Sequence, residues 1–347
     1  MTDPVSNPDA SDELQADPAK ASAESNRGRH ADSPTQIPST GWRDILARVR
    51  LEAKDDHVSL LAAGVAFYSL LAAVPALVAV ISIYGLVADP ADIGRQVVDA
   101  LAAAPGEVRD LVTTQLESIA GSSSGATLLA ALLGVALALW SASSGVSHLI
   151  DALNVAYDET ERRGFVKRKL LALGFTVGAI AFVVVAFGVI AILPALVADT
   201  GLGGFGRVLV GVVRWAVLFA GMIAGLSILY RYGPDRDEPQ WRWTSPGAIL
   251  AAVLWIAGSL LFSLYTANFA KYNETYGSLG AIVVVMLWLF LTATVVIIGA
   301  EVNAELERQT LSDTTEGPSR PLGQRDAYAA DTVGETADQV KSSQAAT

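Results

Sequence analysis

Apolar residues in this chain come in long unbroken blocks, not in the short alternating periods of a soluble domain. Residues 58–88, 120–150, 170–198, 208–230, 244–270 and 275–300 form six such blocks, each at least 23 residues long, and Arg214 is the one Lys, Arg, Asp or Glu inside them. About 20 apolar residues at roughly 1.5 Å rise suffice to cross the hydrocarbon of a bilayer. The pattern therefore predicts an all-α fold, a polytopic membrane helix bundle of six transmembrane helices. The first block starts too far in, and runs too long, for a cleaved signal peptide, so it is expected to stay as an anchor.

The polar stretches between the blocks set the rest of the organisation. Residues 1–40 and 309–347 mix Asp, Pro, Ser and Ala with few large apolar side chains, a composition that predicts disordered tails flanking a 41–308 membrane domain. In residues 41–57, Trp42, Ile45, Leu46 and Val49 recur at helical spacing with Arg43, Arg48, Arg50 and Lys54 between them. Such a helix either lies in the headgroup layer or packs on its own bundle. Apolar residues on either side of Pro105 and Gly106 predict two short amphipathic helices over 91–120.

Charge orients the chain. The connections 41–57, 151–169 and 231–242 hold twelve Lys and Arg, against four in 89–117, 199–207 and 271–274, which places both termini in the cytoplasm. The net charge of −11 resides in the two tails and in 89–126, leaving no basic surface for nucleic acid. Cysteine is absent and the three histidines, His30, His57 and His148, stand in separate segments, so no thiolate site, zinc pair or other metal or cofactor signature is legible, and no Walker motif is present.

A few polar residues interrupt the apolar background. Ser144, His148, Asp151 and Asn154 lie near one face where the second block leaves the membrane, and either line a wet cavity or hydrogen-bond between helices. Arg214, seven residues from Arg207 on the same face, reads as a snorkelling side chain or half of an outer anion site. Tyr265, Asn268 and Tyr276 mark an outer boundary where interfacial anchoring of tyrosines is expected. At the end of the last block, Glu305 and Arg308 are spaced for a helix-surface pair. Glu301 faces a cavity or grips the basic loop 162–169, with a structural ion pair preferred to proton coupling. Pro75 removes one backbone hydrogen bond from the first block and reads as a packing bend.

Four stretches together, AAGVAFYSLLAAVPAL, LWSASSGVSHLIDALNVAY with the basic residues after it, RWTSPGAILAAVLW and YGSLGAIVVVMLWLFLTATVVIIGAEVNAEL, resemble the YihY/BrkB family of bacterial inner-membrane proteins, once labelled ribonuclease BN. The resemblance covers residues 42–308. It departs modestly at Phe67, where a tyrosine often precedes Tyr68, and at Ala73 and Val74 before Pro75. By resemblance, Tyr68, Pro75, Trp140, Asn154, Tyr157, Gly247, Tyr276, Gly277, Gly299, Glu301 and Asn303 are family features without an assigned catalytic role, and the location is the bacterial inner (plasma) membrane. RNA hydrolysis needs a metal cluster or an acid–base pair in a cationic, water-filled site, which this sequence does not offer. The expectation is therefore a non-enzymatic membrane protein that moves an amphipathic or lipid-like envelope molecule. Its candidate contacts are Tyr68, Ser144, His148, Asp151, Asn154, Tyr157, Arg214, Tyr265, Asn268, Tyr276, Glu301 and Asn303, and its expected partners are membrane lipids. Small-residue faces permit homo-oligomers without requiring them. The alternatives are an envelope scaffold without transport and, remotely, a membrane-bound ribonuclease.

Overall fold

A computed structural model of the 347-residue chain describes residues 24, 26–84, 125–198, 203–267 and 278–346. It is helical, and among the described residues the only β pairing is an isolated bridge between Pro239 and Thr315. After a short 3₁₀ turn at Pro34–Gln36, the helices are α1 Ser39–Asp55, α2 Val58–Tyr84, α3 Gly125–Ala156, α4 Phe165–Ala198, α5 Gly203–Tyr232, α6 Trp241–Ala267, α7 Ser278–Glu307, α8 Tyr328–Asp331 and α9 Ala337–Ala346. Five helices contain stretches long and apolar enough to cross a membrane, Leu133–Ala156, Phe165–Ile190, Val208–Tyr232, Trp241–Thr266 and Ile282–Glu307. A sixth span is obtained if α1 and the first part of α2, which meet at 61°, count as one bent unit. The amphipathic segment expected at 91–120 lies outside the described residues, as do Asn268 and Tyr276.

The six long helices form a closed ring in chain order. Each packs on the next, and α7 returns to pack on α2, with a cross-contact between α7 and α3. Close approach is secured by small residues. A Cβ on Gly247 of α6 would stand 2.0 Å from the Gly299 carbonyl oxygen, and one on Gly299 of α7 would stand 2.3 Å from the Tyr230 hydroxyl of α5. Helices in lipid gain little from burying apolar area against each other, so packing of this kind and interhelical hydrogen bonds carry the association. Tyr230 donates to the Val296 carbonyl at 2.8 Å, and Trp255 donates to Thr292 at 3.1 Å.

The packing is uneven along the bundle axis. Buried residues concentrate toward one end, where Val58, Ala62, Leu153, Tyr157, Tyr230, Ala248, Ile297 and Ala300 form the core. Farther away, no described residue among 133–141, 181–190, 208–226, 253–266 or 282–292 is buried. Among the described residues, burial is dense at one end of the bundle and sparse toward the other.

At the tight end lie the α1–α2 bend, the α3–α4 and α5–α6 connections, and residues 308–346. Here the expected tails are corrected. Residues 26–38 and 309–346, read from composition as disordered, are ordered on this end. Arg29 donates to the carbonyls of Arg308, Gln309 and Gly334, and Arg325 to those of Leu311, Ser312 and Ala330. Buried Ala31, Ile37, Ala329, Ala330 and Val340 supply the apolar contacts. Composition undercounts such segments because arginine–carbonyl bonds and small side chains, not large apolar groups, hold them. The same packing decides the fate of α1: Ile45 and Val49 are buried with Trp243, Val302 and Leu306, so this helix packs on its own bundle.

Candidate functional site at the polar end

The tight end is built from ion pairs. Arg48, with 3% of its side chain exposed, pairs with Glu305 and also donates to the Glu305 carbonyl at 3.0 Å and to Gln309 Oε1 at 2.8 Å. Arg308 bridges Glu305 at 2.6 Å and Glu52 at 2.8 Å, with its guanidinium 5.6 Å from the Tyr328 ring. Arg236 holds Glu307 through two hydrogen bonds, at 3.1 and 2.7 Å, and neither side chain reaches solvent. Thr314 donates to the same Glu307 carboxylate at 2.7 Å. A two-pronged guanidinium–carboxylate pair with an added hydroxyl fulfils the bonding that burial of charge demands.

The candidate residues divide into three groups. Tyr68 and His148 stack with ring centroids 3.6 Å apart, and His148 lies 3.6 Å from Asp151, which accepts from Arg168 at 2.6 Å. This group, with Ser144 bonded to the Ser141 carbonyl at 2.7 Å, is half-exposed on the outside of the core. The second group is interior and structural. Asn154 donates to Glu161 at 3.1 Å and accepts from the Asp235 amide at 2.8 Å, tying the α3–α4 and α5–α6 connections together. Asn303 accepts from the Gly247 amide at 2.7 Å and donates to the Thr244 carbonyl at 3.0 Å, fixing α7 to the first turns of α6. The Tyr157 ring lies 5.1 Å from the Arg236 guanidinium and so supports the buried pair. In the third group, Arg214 lies 5.7 Å from the Trp215 ring and Tyr265 6.2 Å from that of Phe262, both in the loose half and apart from the rest. Arg207's side chain lies outside the described residues, and the expected outer pair of arginines with it.

Glu301 departs from its expected role. The Glu305–Arg308 pair forms as the spacing suggests, but Glu301 joins no ion pair among the described residues. The basic loop is instead held by Glu161, Asp235, Asp151 and Asp326. Glu301 is 1% exposed, its Oε1 has no hydrogen-bond partner, and its carboxyl faces that of Asp56 at the α1–α2 break. Burial, with Asp158 and Glu52 nearby, pushes Asp56 up to about 6, while a hydrogen bond with Glu301 pulls it back.

Sequence reasoning missed Arg48, Arg236 and Glu307. Arg48 and Arg236 were counted for orientation, but nothing in spacing says that such an arginine turns inward, and no local signal marks Glu307. Also at this end, a pocket of about 340 Å³ lies between the start of α4 and the end of α5, lined by Arg163, Lys167, Arg231, Tyr232, Asp235 and Arg236 among others. No group of His, Cys, Asp or Glu among the described residues is placed to hold a metal ion.

A ring of apolar helices capped at one end by buried charge pairs defines a polytopic integral membrane protein. The profile of the Virulence factor BrkB family matches residues 49–322, and the chain belongs to that family. Among curated relatives, a ribonuclease-like protein, YfkH, of Bacillus subtilis is 34% identical over 184 residues, covering 51% of this chain and 65% of the relative. A UPF0761 membrane protein of Pseudoalteromonas translucida is 30% identical over 119 residues, covering 34% and 38%. Another from Rhodospirillum centenum is 29% identical over 252 residues, covering 71% and 53%. In each case the chain spans less than two thirds of the relative's length. No solved structure matches.

Proposed function

We propose that the chain moves an amphipathic, lipid-like molecule within or across the membrane, entering the bundle from its loose half and stopped by the packed polar end. The observation that carries this reading is the uneven burial: five of the six long helices have stretches of at least nine residues in which no described residue is buried, while the opposite end is packed and cross-braced. Helix faces left unburied along one half offer an apolar ligand contact with the bundle from the lipid side. Reconstitution into liposomes carrying a panel of labelled lipids and amphiphiles is the test. Protein-dependent movement of at least one supports the reading, and none across the panel removes it.

The polar end is read as the cytoplasmic one, on the strength of the twelve-to-four distribution of Lys and Arg. Because the chain lacks cysteine, a single Leu322→Cys on the exposed surface of that end tests it directly. An impermeant thiol reagent is expected to label it in cells only after the membrane is opened.

The scaffold reading has one observation in its favour, the ordered segments 26–38 and 309–346. They are bonded inward to the bundle, however, which suits a structural cap better than an arm reaching for a partner. The ribonuclease-like name of the Bacillus subtilis relative finds no hydrolytic constellation among the described residues to support it.

A further inference from the structure

We infer that the Asp56 and Glu301 carboxyls form a proton-binding site, one proton shared between them where α7 meets the elbow joining α1 to α2. The inference does not depend on transport; it concerns what these two groups bind.

Three observations converge. The two carboxyls face each other at hydrogen-bond range, and two carboxyl groups can hydrogen-bond only if one of them carries a proton. Glu301 is 1% exposed and its Oε1 has no partner, so an ionised Glu301 would be a buried charge with nothing to answer it. The nearby arginines are already engaged: Arg48 by Glu305, and Arg308 by Glu305 and Glu52. Neither guanidinium is paired with Asp56 or Glu301.

The surroundings favour the proton. From α1 the carboxylates of Glu52 and Asp55 face the pair, from the α3–α4 connection Asp158, and from α7 Glu305. The buried Tyr157 phenol lies near Glu301 and toward Asn303, and Tyr328 of α8 approaches through Arg308. His57 is turned away, with its Nδ1 at 2.6 Å from the Asp55 carbonyl. Acids thus outnumber bases around the pair, and like charges at close range force one of two carboxyls to stay neutral. The upward displacement of Asp56 to about 6 follows the same electrostatics.

The elbow adds a mechanical element. Only Asp56 and His57 separate α1 from α2, the axes turn by 61°, and His57 takes a φ of 52°, a left-handed conformation that non-glycine residues adopt at a cost. Releasing the proton would place two negative charges across this joint and push α7 from the elbow. Taking it up would close the contact.

Infrared difference spectroscopy of the full chain in liposomes, titrated through neutral pH, tests the proposal. The carbonyl stretch of a protonated carboxyl is expected in the wild type; it should vanish in Glu301→Gln and shift in frequency in Asp56→Asn, where its hydrogen-bond partner changes. Should either variant fail to fold, the other decides. Absence of the band from the wild type, its survival in a folded Glu301→Gln, or an unmoved band in a folded Asp56→Asn would overturn the proposal. So would a pair that stays ionised throughout and responds instead to added sodium, because the ligand would then be a cation.

Discussion

Arg236 carries the sharpest consequence at the scale of single residues. Both it and Glu307 are wholly enclosed, so truncating one strands the other's charge. Arg236→Ala is expected to cost about 3–5 kcal/mol of stability, measured by denaturant unfolding in detergent. Replacing both partners with apolar residues of similar size should recover much of that loss, since it removes the unpaired charge as well as the pair. Asn303 predicts a smaller effect: Asn303→Ala leaves the Gly247 amide and Thr244 carbonyl without their partner, a loss of about 1–3 kcal/mol. Asp56 predicts a pH dependence. Its folded-state value, about 6, lies above the ordinary 3.8, so the folded state binds the proton more tightly than the unfolded one. Its contribution to stability therefore falls as pH rises from about 4 to about 6 and is restored on acidification. Thermal melts across that window should show the trend in the wild type and lose it in Asp56→Asn.

At the scale of elements, the helices themselves were legible because a bilayer-length apolar run has one economical conformation: all backbone groups paired within the segment. The positions of α2 to α7 follow the six blocks closely. Their ends do not, since α3 continues to Ala156 and α7 to Glu307, beyond the apolar runs. Those last turns are polar and are fixed by tertiary partners such as Glu161, Asp235 and Arg236, which no local pattern announces. The helix contacts were legible only as small residues, and the particular crossing of α6 and α7 at Gly247 and Gly299 was not. Gly247→Ala is expected to wedge these helices apart, at roughly 1–3 kcal/mol or more, because a Cβ would meet backbone rather than a side chain able to move. The change in tryptophan fluorescence on unfolding would report it, as Trp255 and Trp288 lie on these two helices with ring centroids 5.9 Å apart.

Across the whole molecule, the candidate residues read from sequence turned out to serve different purposes. Asn154, Tyr157 and Asn303 brace the polar end, Tyr68, His148 and Asp151 gather on its flank, and Glu301 meets Asp56 from a segment some 245 residues earlier. That last meeting was beyond sequence reasoning because it depends on the ring closing, α7 against α2 and α1. The order of residues 309–346 was equally hidden, since it relies on arginines reaching backbone carbonyls. Removing residues 309–347 is accordingly expected to lower the yield of folded protein in detergent, whereas a dispensable extension would leave it unchanged; size-exclusion profiles of the two forms distinguish these outcomes.

Ring closure also sets a clock on biogenesis. Arg48 is made early, but its carboxylate, Glu305, follows 257 residues later, and the Glu335 carbonyl that it also engages later still. At 5–20 residues per second, the ribosome needs roughly 13–50 s to deliver that first partner. For that interval the nascent protein carries an unmatched guanidinium at the membrane surface, and a chain terminated before Glu305 carries it permanently. The pairing of Arg48 thus acts as a completeness mark, by which a finished molecule differs chemically from a truncated one.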